Sequence, residues 1–172
     1  MDRCWAANDE LTRPCELRAA WTTYPRPSVL ARMFWMLCVR AGDRMLDIGP
    51  GSGWSTVIGS NLVVPKGSVT GLEIVSELVS MSRDMLSSAG VTNATIEQTT
   101  VSEPGWACGA PYDRILLTAV VPRVPRLLLD QLGPKGAIAY VHRGHMQRLR
   151  RHNEYERMQQ ASGHYRFAPM VE

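Results

Sequence analysis

The chain has 172 residues, with 19 Lys and Arg against 16 Asp and Glu, which gives a formal net charge of +3. The length fits one domain, and 45% hydrophobic with 20% charged residues excludes an intrinsically disordered chain. The near-neutral balance gives no electrostatic indication of nucleic-acid binding. The longest apolar run is the seven residues 33–39, well short of the roughly 20 that a membrane span requires.

The cysteines indicate a reducing compartment and no metal site. They are Cys4, Cys15, Cys38 and Cys108, and none belongs to a Cys-x-x-Cys pair. The first 30 residues contain scattered acidic residues rather than the basic start and apolar centre of a secretory signal. We therefore predict free thiols and a cytoplasmic protein.

The predicted elements begin after two prolines. Pro25 and Pro27 keep the preceding residues out of helix, and Ser28 is predicted to cap a helix over 29–39. Beyond it, short apolar runs alternate with helical patterns. Strands are predicted at 44–48, 68–74, 93–99, 114–117 and 137–142, and helices at 54–62, 76–89 and 125–132.

This alternation predicts an α/β fold, with a Rossmann-like, doubly wound, mostly parallel sheet and helices on both faces. Residues 147–151 and 165–171 are predicted to add a C-terminal antiparallel hairpin.

The most informative segment is 45–54, where a strand enters a glycine-rich turn and a helix follows. Gly49, Gly51 and Gly53 would let backbone N–H groups approach a ligand, with Ser52 between them. A dinucleotide fingerprint would need glycine where Trp54 stands. We predict a core position for this Trp, with a place in the lining of the cofactor pocket as the alternative. Asp-x-Gly-x-Gly-x-Gly is instead the form associated with S-adenosylmethionine (SAM), whose amino-acid and ribose parts the turn can hold.

Two acidic residues accompany the turn. Glu73 ends the second predicted strand, 20 residues after Gly53, where a carboxylate accepts hydrogen bonds from ribose hydroxyls. Asp47 is predicted to orient the ammonium group of the cofactor, directly or through water. The alternative for Asp47 is a structural carboxylate that caps the glycine turn.

Several segments in this order resemble the protein-L-isoaspartate O-methyltransferase family. They are residues 24–29, 44–54, 71–74, 77–79, 110–116, 127–136 and 165–171. The resemblance implies a methyltransferase domain over 22–172, preceded by a divergent segment 1–21. It also implies SAM as cofactor and methyl esterification of isoaspartyl carboxylates in damaged proteins, a repair reaction.

Two positions depart from the family pattern. Pro25 stands where the family has a serine that contacts the substrate carboxylate, which leaves Thr23, Arg26 and Ser28 as substrate-contact candidates. Residues 99–101 replace a Gly-Asp-Gly turn whose acid helps to hold the adenine end, so the resemblance implies a cofactor contact for Thr100.

A carboxylate acceptor is ionised at pH 7 and needs no general base, whereas an amine or hydroxyl acceptor would need one. His142, which ends the fifth predicted strand, is the candidate for such a base; the alternative, which we expect, is a solvated histidine at the strand end. The alternatives are a relative with a changed acceptor (a peptide aspartate or a small molecule), a non-catalytic SAM-binding or interaction module, and a nucleic-acid methyltransferase.

The nucleic-acid alternative depends on a basic cluster. It consists of Arg143, Arg148, Arg150 and Arg151, which we predict to lie on a solvated edge strand. The predicted partner is a protein or peptide substrate, without nucleic acid or membrane, and the predicted state is a monomer or weak homo-oligomer.

Overall fold

The computed structural model describes residues 25–100, 102, 104–121, 123–152, 155–165 and 167. The helices are α1 (Pro27–Leu37), α2 (Trp54–Leu62), α3 (Ser76–Ser88) and α4 (Arg126–Asp130). The strands are β1 (Arg44–Ile48), β2 (Ser68–Glu73), β3 (Ala94–Gln98), β4 (Tyr112–Val120), β5 (Leu132–His142), β6 (His145–His152) and β7 (Tyr155–Gln160). None of these helices is long and apolar enough to cross a membrane.

The seven strands form one sheet in the order β3-β2-β1-β4-β5-β6-β7. Strands β1 to β5 are parallel, and β6 and β7 are antiparallel to their neighbours. The order reverses between β1 and β4, as a doubly wound sheet requires. This architecture confirms the predicted fold class, including the antiparallel C-terminal strands.

Helices cover both faces of the sheet. Met33 and Leu37 of α1 pack with Met45 and Val69 on one face. α2 and α3 lie on this same face, since Val57, Val79 and Ile96 pack together there. On the other face, Leu128 of α4 packs on strand residues that include Leu46, Ile115 and Ile138. Because β1 is buried on both sides, its carboxyl end is a rigid support for whatever follows it.

Helix α1 begins earlier than predicted. Its N-cap is Arg26, and Pro27 is the first helical residue, so Ser28 lies inside the first turn rather than at the cap. The reason is that the fixed φ of proline suits the first position of a helix, where its missing N–H costs nothing. At the other end, Arg148 donates to the Met36 carbonyl at 2.7 Å.

The C-terminal antiparallel strands lie at other residues than predicted. β6 pairs with β7, which lies within the predicted polar loop, whereas Tyr165 is not in a strand. Most of 166–171 lies outside the described residues. β6 is thus an interior strand, and the prediction of a solvated edge strand for the basic cluster is wrong. One member of the cluster, Arg151, donates to the Leu132 carbonyl at 2.6 Å.

Candidate cofactor-binding site

The glycine turn follows β1 at the point where the strand order reverses. Gly49, Gly51 and Gly53 have φ values of 77°, 57° and 84°, a conformation that side chains strain. A Cβ at Gly53 would lie 3.0 Å from the backbone of Ser82 on α3. Glycine is therefore required by conformation and by the close approach of α3.

The N–H groups of the three glycines are all used within the protein. Gly49 donates to the Leu72 carbonyl at 2.9 Å and Gly53 to that of Pro50 at 3.0 Å. Gly51 donates to Oε2 of Glu73 at 3.1 Å. The expectation that these N–H groups face a ligand is therefore wrong, because the end of β2 binds those of Gly49 and Gly51 and the turn itself binds that of Gly53. What the glycines offer a ligand is close approach to the backbone.

Glu73 ends β2 as predicted, and its carboxylate lies directly beside the turn. The residue is 5% exposed. Besides Gly51, it accepts from the backbone N–H of Ile74 at 2.8 Å and of Val75 at 3.1 Å. A carboxylate offers about four acceptor positions, so three are occupied and one remains.

Asp47 is completely buried under the turn. Its Oδ2 accepts from the hydroxyls of Ser55 at 2.6 Å and Thr56 at 2.7 Å, while Oδ1 has no partner among the described residues. Burial raises the pKa of Asp47 to about 6, against the two hydroxyl bonds, and the nearby charge of Glu73 adds to the rise. These contacts give Asp47 a structural role at the start of α2, and they leave one carboxylate oxygen for a water or a ligand group.

Two hydroxyls that the sequence analysis missed hold the carbonyl side of the turn. Ser82 on α3, fully buried, donates to the Gly51 carbonyl at 2.7 Å. Thr118 on β4 donates to the carbonyl of Gly49 at 2.6 Å. A serine in register with Val79 and Leu86 on the apolar face of α3 was a usable signal for Ser82. Thr118 was hidden because the predicted strand stopped at residue 117.

The remaining site candidates differ in their placement. Ser52 is buried in the turn, whereas Trp54 is 48% exposed, so the predicted core position of this Trp is wrong. The reason is that α2 turns its second and third residues inward, towards Asp47. Thr100 is exposed, and its hydroxyl lies 2.9 Å from that of Ser102.

Of the substrate-contact candidates, Arg26 and Ser28 are exposed at the start of α1. Thr23 lies outside the described residues, as do Cys4, Cys15 and segment 1–21. Cys38 and Cys108 are free, as predicted. His142 is half-buried, with Nδ1 3.5 Å from the Val121 carbonyl, rather than freely solvated.

A family model described as protein-L-isoaspartate (D-aspartate) O-methyltransferase matches residues 13–172. The chain belongs to this family. Membership confirms the predicted family resemblance. The matched residues include the glycine turn, Glu73 and Thr118.

Curated relatives carry the same family name. A protein-L-isoaspartate O-methyltransferase from Ignicoccus hospitalis is 37% identical over 113 residues, which is 66% of this chain and 53% of that protein. One from Methanopyrus kandleri is 37% identical over 128 residues, 74% of this chain and 57% of the relative. The chain thus spans little more than half the length of these relatives.

Solved structures of the family share the fold. A protein-L-isoaspartate O-methyltransferase superposes with a TM-score of 0.82 at 22% identity, over 90% of this chain and 50% of the other. A Plasmodium falciparum family protein, solved with S-adenosyl-L-homocysteine, gives 0.75 at 19% identity, over 89% of this chain and 78% of that one. At this identity the likeness establishes the fold.

Proposed function

We propose that this chain is a SAM-dependent carboxyl O-methyltransferase that esterifies isoaspartyl carboxylates in proteins or peptides. The observation that carries the proposal is the pairing of Glu73 with the backbone of Gly51. This hydrogen bond places an acidic side chain, with one acceptor position remaining, beside a glycine turn whose backbone a ligand can approach closely. The chain is also a member of this methyltransferase family.

The residues around the turn fit the proposed cofactor. Oδ1 of Asp47 is a buried acceptor with no partner among the described residues, as a cationic ammonium group or a bridging water would require. The remaining acceptor position of Glu73 suits a ribose hydroxyl. When bound, SAM supplies an electrophilic methyl group on a sulfonium sulfur.

The chain itself has to position the acceptor and exclude water, because methyl transfer is an in-line displacement. A carboxylate is ionised at pH 7, so no residue needs to remove a proton from it. Arg26 at the start of α1 is exposed and cationic, which suits it to bind the carboxylate that Pro25 cannot contact through a hydroxyl. We propose Arg26 and Ser28 for this contact.

The direct test supplies the protein with methyl-labelled SAM and an isoaspartyl peptide, beside the matching aspartyl peptide. We expect a base-labile methyl ester on the isoaspartyl peptide, and less labelling in Glu73→Ala at limiting SAM. Labelling of neither peptide, with SAM binding intact by calorimetry, would contradict the proposed acceptor. Absence of SAM binding would contradict the enzyme itself and favour a non-catalytic interaction module.

Pro25 favours a second candidate, a family member with a changed acceptor. Its ring has no hydroxyl to offer an isoaspartyl carboxylate, and it directly precedes Arg26. An ester on the aspartyl peptide, or on a small carboxylic acid, would identify this candidate in the same assay. The cytoplasmic location, the monomeric or weakly oligomeric state and the lack of nucleic-acid binding also stay proposals.

A further inference from the structure

Five basic side chains at the carboxyl end of β5 have no role in the proposed methyl transfer. They form what we call the basic rim: Arg123, His142, Arg143, His145 and His164. Arg123, Arg143 and His164 are exposed, and the other two are half-buried. The sequence contains no Asp or Glu from 131 to 153 or from 157 to 171, so the part of the chain that builds the rim from β5 onwards carries little opposing charge.

Specific contacts bring the rim together. The β5–β6 register pairs His142 with His145, which places both side chains on one face. The ring of His164 packs edge-on against that of His145, with centroids 5.9 Å apart and planes at 88°. The Tyr165 N–H donates to the Gly144 carbonyl at 2.6 Å and so fixes the segment that carries His164.

The connection after β4 joins the rim from the other side. Nδ1 of His142 lies 3.5 Å from the Val121 carbonyl, and Arg123 follows two residues later. Neither Arg123 nor Arg143 forms an ion pair within the part of the chain that the structure describes. Both guanidinium groups are therefore available to a partner.

Arg143 occupies the tip of the β5–β6 hairpin in a costly conformation. Its φ is 49° and that of Gly144 is 79°, so both central residues of the two-residue turn have positive φ. Such turns favour Asn, Asp or Gly at the first position, so an arginine there does not stabilise the fold. Here the turn projects a positive charge beyond the end of the sheet.

The rim lies beside the proposed reaction centre. β5 is the second strand from β1 in the sheet, so the two strands are roughly 10 Å apart at the edge where the glycine turn lies. An extended peptide covers that distance in about three residues. A substrate with its carboxylate at the cofactor turn would thus place its neighbouring residues over the rim.

We propose that the basic rim binds acidic residues that flank the methyl-accepting carboxylate, so that acidic peptide segments are the favoured substrates. The position of the acceptor rests on the proposed function; the binding of acidic peptides does not. Because Arg123 and Arg143 are exposed, the contribution of each charge is modest and falls as salt increases. A phosphate backbone would also bind arginines, but the family's protein substrates and the mild net charge favour a peptide.

The test measures fluorescence anisotropy of three labelled isoaspartyl peptides, flanked by Glu, Gln or Lys, at low and at physiological salt. The variant is Arg143→Gly, which removes the charge and suits the positive φ; Arg143→Asn is a second variant that this turn accepts. The control is Arg150→Gln, which removes an exposed arginine of β6 paired with Ala137, far from the rim. Circular dichroism checks folding of every variant.

We expect the Glu-flanked peptide to bind best and Arg143→Gly to weaken it about two- to fivefold, with little change for the Gln-flanked peptide. Arg150→Gln should bind like the parent chain. Equal affinity for all three peptides, or equal losses in Arg143→Gly and Arg150→Gln, would overturn the proposal. So would tighter binding of an RNA oligomer of the same net charge that depends on Arg143.

Binding and methyl transfer are separate readouts, so the two proposals fail separately. A charge preference without ester formation would remove the proposed reaction and leave the rim as a peptide-binding surface. Ester formation without a charge preference would contradict the role of the basic rim and leave the proposed methyl transfer intact.

Discussion

Thr118 holds Gly49 in place: its hydroxyl donates to the Gly49 carbonyl at 2.6 Å and also contacts the Ile48 carbonyl at 2.9 Å. A Cβ on Gly49 would lie 3.3 Å from the Thr118 oxygen. β4 thus fixes the first peptide of the turn, while Ser82 of α3 fixes the Gly51 carbonyl. The turn is held from two elements that come later in the chain.

Thr118→Val should weaken binding of SAM or S-adenosylhomocysteine about fivefold, because the isosteric side chain removes hydrogen bonds that together contribute about 1 kcal/mol. Thr118→Ser keeps the hydroxyl and should bind like the parent chain. Calorimetry measures both affinities. If Thr118→Val bound normally, the hydroxyl would not position the turn.

Glu73→Ala should weaken SAM binding by about 1–3 kcal/mol, the range for hydrogen bonds to a charged group. Glu73 accepts three backbone N–H bonds, so the variant also loosens the Gly51 peptide. Glu77→Ala is the control, since Glu77 is an exposed carboxylate in the first turn of α3. Unchanged affinity in Glu73→Ala would show that the cofactor lies elsewhere.

Gly53→Ala should remove cofactor binding, whereas Gly42→Ala should not. Both glycines have positive φ, 84° and 87°, and both substitutions carry a similar backbone cost of about 1–2 kcal/mol. At Gly53, however, a Cβ would lie 3.0 Å from the backbone of Ser82, and at Gly42 it would meet nothing within 4 Å. Thermal unfolding measures the loss of stability in each variant, and calorimetry measures its affinity for SAM. Equal affinities in Gly53→Ala and Gly42→Ala would argue against a close approach at Gly53.

Asp47 should make the protein less stable as pH rises through its titration. Burial raises the pKa of Asp47 from 3.8 to about 6, so between these values the folded state binds more protons than the unfolded state. The free energy of unfolding from this group therefore falls as pH increases from 4 to 7, by up to about 3 kcal/mol.

Asp47→Asn keeps an oxygen for Ser55 and Thr56 and cannot titrate. Its stability advantage over the parent chain should therefore grow as pH rises from 4 to 7. Urea unfolding at several pH values measures the free energy of unfolding of both proteins. In their difference, the contributions of the titratable groups that the two proteins share cancel. A difference that stays constant with pH would mean that Asp47 titrates at its ordinary pKa.

Local patterns predicted much of this fold because they depend on near neighbours. The apolar runs identified the five parallel strands, and the glycine spacing located the turn before α2. They did not locate β7, since its residues 155–160 are mostly polar and join the sheet only through pairing with β6. The start of α1 was misplaced because Pro27 suits the first helical position better than Ser28 suits the cap.

The sequence by itself determined the α/β class, the glycine turn and the acid at the end of β2, because each follows from spacing along one segment. Only the tertiary structure decided how the turn is held and what surrounds it. Thr118 and Ser82 lie 69 and 31 residues from the carbonyls that they bind, and His164 reaches the β5–β6 turn from beyond β7. Such contacts depend on strand order and helix packing, which no local pattern encodes.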